Sequence, residues 1–182
     1  MGLLVLGGII LLLLFISVAI YNRLIALKNR VENAWRQIDV QLKRRADLIP
    51  NLVETVKGYA AHEKEAFAQV TDARSRMIQA GNVSEQAQAQ NELSGALKSL
   101  FAVAEAYPEL KANQNFLMLQ EELAGTENKI GYARQFYNDA VMGFNQAIQQ
   151  FPGNFFAGMS GFTPKDYFET EPATREAPKV KF

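Results

Sequence analysis

From Leu3 to Tyr21 the chain is an almost unbroken apolar run, and no later stretch approaches it in length or purity. Wound as a helix at about 1.5 Å per residue, the run reaches about 28 Å, close to the hydrocarbon thickness of a bilayer. One membrane crossing is therefore the frame into which everything else must fit. Ser17-Val18-Ala19 resembles a signal-peptide processing site, but the run is longer than a usual signal core and carries no Lys or Arg before it. The Met-Gly start lacks the myristoylation pattern, because Leu6 stands where Ser or Thr is required. Small residues Gly7 and Gly8 would let two such membrane helices approach, which makes them candidate self-association positions.

Charges flanking the run give its orientation. Arg23, Lys28, Arg30 and Arg36 follow it, so the expectation is a single-pass protein with its N-terminus outside and its helical domain cytoplasmic. The absence of cysteine agrees with a reducing compartment. Of the 182 residues, 19 are basic and 19 acidic, so there is no long-range field to gather nucleic acid.

Past Arg23 the apolar residues recur at threes and fours, which predicts an all-α fold: an anchor over 1–22, an antiparallel bundle of three or four long helices over 23–153, and an irregular aromatic-rich tail over 154–182. The first stripe runs Val31, Trp35, Ile38, Leu42, Ile49, Leu52, Val56 and Tyr59, then Phe67, Val70 and Met77 up to Gly81-Asn82. Pro50 must kink or reverse this helix; the stripe keeps phase across it, which favours a continuous helix. Ser84 suits an N-cap for a second helix reaching Pro108, and a last helix is expected from Pro108-Glu109 to Phe151-Pro152-Gly153. In the tail, Phe155, Phe156, Phe162, Tyr167, Phe168 and Phe182 are too many aromatics to leave in water. They predict docking on the bundle, on a neighbouring copy or at lipid headgroups, with Phe155, Phe156, Phe162 and Phe168 as candidate self-association or membrane contacts and Thr170 to Lys181 mobile.

Reactive chemistry is hard to find. His62 is the lone histidine, and Ala66 stands where a zinc-protease helix needs a second one. No phosphate loop, dinucleotide fingerprint or nucleophile elbow occurs, so neither a cofactor nor an enzyme is expected. Polar residues beside the apolar seams are more informative: Asp39, Asp47 and Asn51 on the first helix, Glu127, Arg134, Asn138 and Asn145 on the last. They predict a cross-helix polar network that fixes register, with a binding pocket as the rival and a buried catalytic cluster of Asp39, Asp47, Glu127 and Arg134 as the weakest reading. Arg44-Arg45 reads as ordinary surface charge.

The segments Trp35 to Val53, Val56-Lys57-Gly58-Tyr59-Ala60, Ala106 to Asn113, Leu119 to Ile130, Ala133 to Asn138, Phe144-Asn145 and Phe151-Pro152 together resemble the bacterial LemA family over nearly the whole chain. The resemblance implies a bacterial inner-membrane protein with a helical bundle, gene neighbourhoods shared with membrane proteases and stress systems that point toward a membrane-protein partner, and no agreed biochemical activity. Its motif residues here are Asp47, Pro50, Asn51, Pro108, Asn113, Glu127, Asn128, Arg134, Tyr137 and Asn138, at seam and turn positions. The combined expectation is a membrane-tethered scaffold or adaptor that forms a homo-oligomer on the lipid bilayer. The alternative is a membrane-shaping or envelope-stress protein that assembles there.

Overall fold

A computed structural model describes residues 1–169, and among them every regular element is a helix. The order is α1 (Gly2–Lys57), α2 (Lys64–Gln79), α3 (Val83–Ala104), α4 (Pro108–Lys111), α5 (Gln114–Gln149) and α6 (Gly153–Ser160). Residues 170–182, which include Phe182 and the segment expected to be mobile, lie outside the described residues.

Helix α1 is one unbroken element of 56 residues, about 84 Å long. Its first part is exposed, apolar and long enough to cross a membrane. From Leu24 onward one face is buried against the C-terminal half of the chain. Helix α5 runs antiparallel beside it: Asn113 Nδ2 donates to Tyr59 Oη at one end (2.9 Å), while Trp35 stacks near Tyr137 in the middle (5.4 Å). Leu24 closes the other end beside Gly153.

Pro50 lies inside α1, so the helix continues through it. Proline has no N–H to give the carbonyl four residues earlier, here that of Ala46. Arg74 on α2 supplies the missing donor, its Nε reaching the Ala46 oxygen at 2.8 Å. A local defect in α1 has become the attachment point of α2.

Four boundaries differ from the sequence expectation. The first stripe does not continue to Gly81, because α1 ends at Lys57 and the chain turns over Gly58–Glu63 before α2. Gly58 keeps a helical φ of −61°, so it ends the helix through its poor helix propensity and not through a left-handed cap. Asn82, not Ser84, caps α3: its Oδ1 accepts from Glu85 N (2.9 Å), and the Glu85 carboxylate accepts from Gly81 N (2.8 Å). Pro108 opens the single turn α4, and Asn113 caps a fresh start at α5 by accepting from Phe116 N (3.1 Å). Finally, the tail expected to be irregular contains α6; the bundle itself has the expected number of long helices, α1, α2, α3 and α5, with the single turn α4 between the last two.

The tertiary layout has two sections. Far from the apolar run, the α2–α3 hairpin packs with α1 and α5, enclosing Ile49, Leu52, Val56, Val70, Leu93 and Leu100. Near the run α1 and α5 stand alone, and α6 with the segment after it covers them.

Candidate functional site

Two polar constellations are built into this scaffold. The first lies in the four-helix section. Ile38, Leu42, Arg45, Ile49, Leu52 and Val56 share one inward face of α1, and Arg45 is 4% exposed among them. Its guanidinium pairs with the Glu127 carboxylate of α5 and donates to Ser94 Oγ of α3 (3.2 Å). Gln90 Nε2 donates to the same carboxylate at 3.1 Å. Burial lowers the Arg45 pKa from its ordinary value, and Glu127 opposes that shift. Three helices are thereby locked in one register. Arg44 next door fits its surface assignment, forming a half-exposed pair with Glu122 (2.7 Å).

The second constellation lies where the tail returns. Gly161, at φ 69°, ends α6 in the left-handed region that glycine tolerates. The chain then runs extended along α5, held by two asparagine brackets. Asn145 donates from Nδ2 to the Lys165 carbonyl (2.9 Å) and accepts from Lys165 N (2.8 Å). Asn138 treats Phe168 the same way, at 3.1 and 2.9 Å. Each amide presents a donor and an acceptor side by side, so it pairs with backbone as a neighbouring strand would. Between them the Tyr137 hydroxyl donates to the Asp166 carbonyl (2.9 Å), and burial pushes its pKa up to about 12. Phe168 is 1% exposed against Trp35 (6.2 Å), and Phe162 lies between Phe144 and Tyr21 (6.1 and 6.2 Å).

These placements correct much of the expected seam. Asp39, Asp47 and Asn51 are exposed, since they fall outside the buried face of α1; Asp39 and Asp47 line a surface hollow of about 320 Å³ with Lys43, Met77 and Gln86. Arg134 is half-buried and makes no hydrogen bond or ion pair among the described residues. Glu127 does bridge helices, but its partner is Arg45, which sequence reading had assigned to the surface. Asn138 and Asn145 bond to the tail, not across helices. Of the tail aromatics among the described residues, Phe168 is buried and Phe156 and Phe162 are half-buried within the chain, which leaves Phe155 and Tyr167 exposed. Gly7 and Gly8 lie on the apolar span with open space beside them.

The residues that sequence reading missed had a signal. Arg45 falls on the apolar face itself, seven after Ile38 and seven before Leu52, a spacing that required it to be inside. Gln90 and Ser94 had no comparable mark. His62 is exposed, and among the described residues no three His, Cys, Asp or Glu side chains gather where a metal could sit. Of the motif residues, Pro50, Asn113, Glu127, Tyr137 and Asn138 all take part in shaping the fold.

Comparison with known proteins finds a family and several relatives. The model of the LemA family matches residues 34–182, leaving the apolar run outside the match. Magnetosome protein MamQ 2 of Paramagnetospirillum magneticum is 26% identical, covering 84% of this chain, and MamQ of Magnetospirillum gryphiswaldense is 24% identical over the same share. Protein LemA of Metamycoplasma hominis is 27% identical over 79% of the chain. The chain spans 66% of the length of each of these relatives.

Proposed function

This chain belongs to the LemA family, and from that premise we propose that it is a membrane-tethered, self-associating scaffold that holds a helical surface at a fixed distance from the bilayer without catalysing a reaction. The observation that carries this reading is the continuity of α1. The helix leaves the apolar span and enters the bundle with no linker between them, so the domain is a rigid extension of its anchor. About 36 residues of α1 follow Tyr21, which places the far end about 54 Å from the span. The names of its relatives, magnetosome protein and LemA protein, assign no reaction.

In this reading the bundle is cytoplasmic and the N-terminus outside, an orientation supported by the basic residues Arg23, Lys28, Arg30 and Arg36. Self-association has two surfaces to use. One is the small-residue stretch at Gly7-Gly8; the other is a groove of about 570 Å³ along the α1–α5 seam, where Val40, Tyr132 and Phe136 stand exposed. Membrane-protein partners would meet the same groove.

The test is the native mass and composition of full-length protein extracted gently from its own membrane. A homo-oligomer, or a stoichiometric complex with a second membrane protein, supports the scaffold. A strict monomer that recovers no partner above controls refutes it. Assembly that also deforms vesicles would move the reading to membrane shaping.

A further inference from the structure

We propose that α6 is a lipid-facing foot: Phe151, Phe155 and Met159 enter the headgroup layer beside the membrane span and fix how the rod stands on the bilayer. The proposal rests on the tethered reading above and adds a second, separate contact between the chain and lipid.

Three observations carry it. The first is position. The apolar run ends at Tyr21, whose ring lies 6.2 Å from that of Phe162 just past α6. At the other end of α6, buried Gly153 sits against Leu24. Leu24 lies about 4.5 Å along the helix from Tyr21, and the headgroup region on each side of a bilayer is roughly 5–7 Å deep. Both ends of α6 are therefore held at that level. The fit is close, for a Cβ on residue 153 would overlap the Ala147 carbonyl oxygen.

The second observation is the outward face. Gly153 and Ala157 turn inward and are buried. Phe155 and Met159, four apart, lie on the opposite side and are 63% and 74% exposed, and Phe151 in the turn just before the helix is 86% exposed. A helix on the surface of a water-soluble bundle carries charged and polar residues on its outer side; this one presents Phe155 and Met159 there, and its exposed polar residues Asn154 and Ser160 carry no charge. The third is charge. From Phe151 to Phe162 there is no charged side chain, while exposed Arg23 stands on the adjacent turn of α1, where it can meet anionic headgroups. An apolar, uncharged edge at the end of a membrane span, with a basic residue next to it, matches lipid at the interface. The tail brackets at Asn138 and Asn145 then have a purpose, because they pull the segment after α6 down onto α5 and keep the foot from swinging away.

The chain has no cysteine, so single labels are unambiguous. A nitroxide at Phe155→Cys, with Met159→Cys as a second site and exposed Lys98→Cys on α3 as a bundle control, is to be measured in full-length protein reconstituted into vesicles of phosphatidylethanolamine and phosphatidylglycerol. The expected result is an oxygen-to-nickel-chelate collision ratio several-fold higher at both foot positions than at Lys98→Cys. Equal ratios in a protein that resists alkaline wash would overturn the foot and leave the tether standing. Spin–spin broadening at Phe155→Cys that vanishes on dilution with unlabelled chain, without a raised ratio, would assign the face to a second copy and overturn the proposal. Extraction by the alkaline wash would overturn tether and foot together.

Discussion

The two ends of the bundle solve the same problem by different means. Away from the membrane span, the paired stripes of α1 and α5 are covered by the α2–α3 hairpin, and an ion pair between buried Arg45 and half-exposed Glu127 locks the layers. Close to the span there is no hairpin; the short helix α6 and the extended strap after it do the covering, with Phe168 as the plug and asparagine side chains in place of strand neighbours. The handover falls between Trp35, which meets the strap, and Leu42, which meets the hairpin tip near Met77. A helix pair this long exposes apolar surface wherever a third layer is missing, so the chain doubles back twice to supply one.

The strongest test of this division is Phe168→Ala. Removing a fully buried ring from the strap should cost about 3–5 kcal/mol and release the tail. Amide exchange in the full-length protein should rise around Trp35 and Asn145, while the hairpin section keeps its protection. Uniform loss everywhere would show that the two sections are one cooperative unit.

Next in size is Glu127→Ala, which strands the Arg45 guanidinium in the four-helix section. Because the carboxylate itself is half exposed, the expected loss is about 2–3 kcal/mol, below that of a wholly buried pair. Replacing both partners, Arg45→Met with Glu127→Leu, should recover most of it in urea unfolding while weakening the register among α1, α3 and α5. A double variant as unstable as the single one would mean that the pair contributes directly to stability.

Asn138→Ala deletes one bracket, for about 1–2 kcal/mol, and should expose the Phe168 amide to exchange while leaving that of Lys165 protected. Alkaline pH reaches the same strap. The Tyr137 pKa is about 12 in the folded chain against 10.0 ordinarily, so between those values the folded state holds a proton that the unfolded state has lost. Stability must then fall as pH rises above 10, beginning at the strap because the phenolate cannot donate to Asp166. Tyr137→Phe should remove that component from an alkaline melting profile.

The smallest effect is expected at the proline. Pro50→Ala should preserve the fold, since α1 is already continuous, and Arg74→Ala should cost about 1 kcal/mol by leaving the Ala46 carbonyl without its donor. In the double variant that cost should vanish, because an alanine in place of the proline regains the backbone N–H that closes the helical bond; persistence of the loss would separate Arg74 from the proline.

Much of this was legible in the residues themselves. Helical class, the span, the stripes and a continuous helix through Pro50 follow from periodicity, which is a local property. The seam was legible in part: Glu127 was identified as a bridging residue, but its partner Arg45 was passed over although its spacing put it inside. Asn138 and Asn145 were marked as polar groups in need of partners, which they are. That their partners are backbone groups 20 and 30 residues downstream could not be read, because an asparagine beside an apolar stripe looks the same whichever segment it will bind.

The sequence alone determined one apolar run long enough to cross a membrane, a helical fold class, the absence of any recognisable reactive motif and a tail rich in aromatics. Each depends on near neighbours or on composition. The tertiary structure decided which polar groups meet, which aromatics are consumed internally and which are left facing out beside the end of the apolar run. Those outcomes depend on contacts between residues distant along the chain, whose partners are chosen by the packing of whole helices and not by any pattern within one of them.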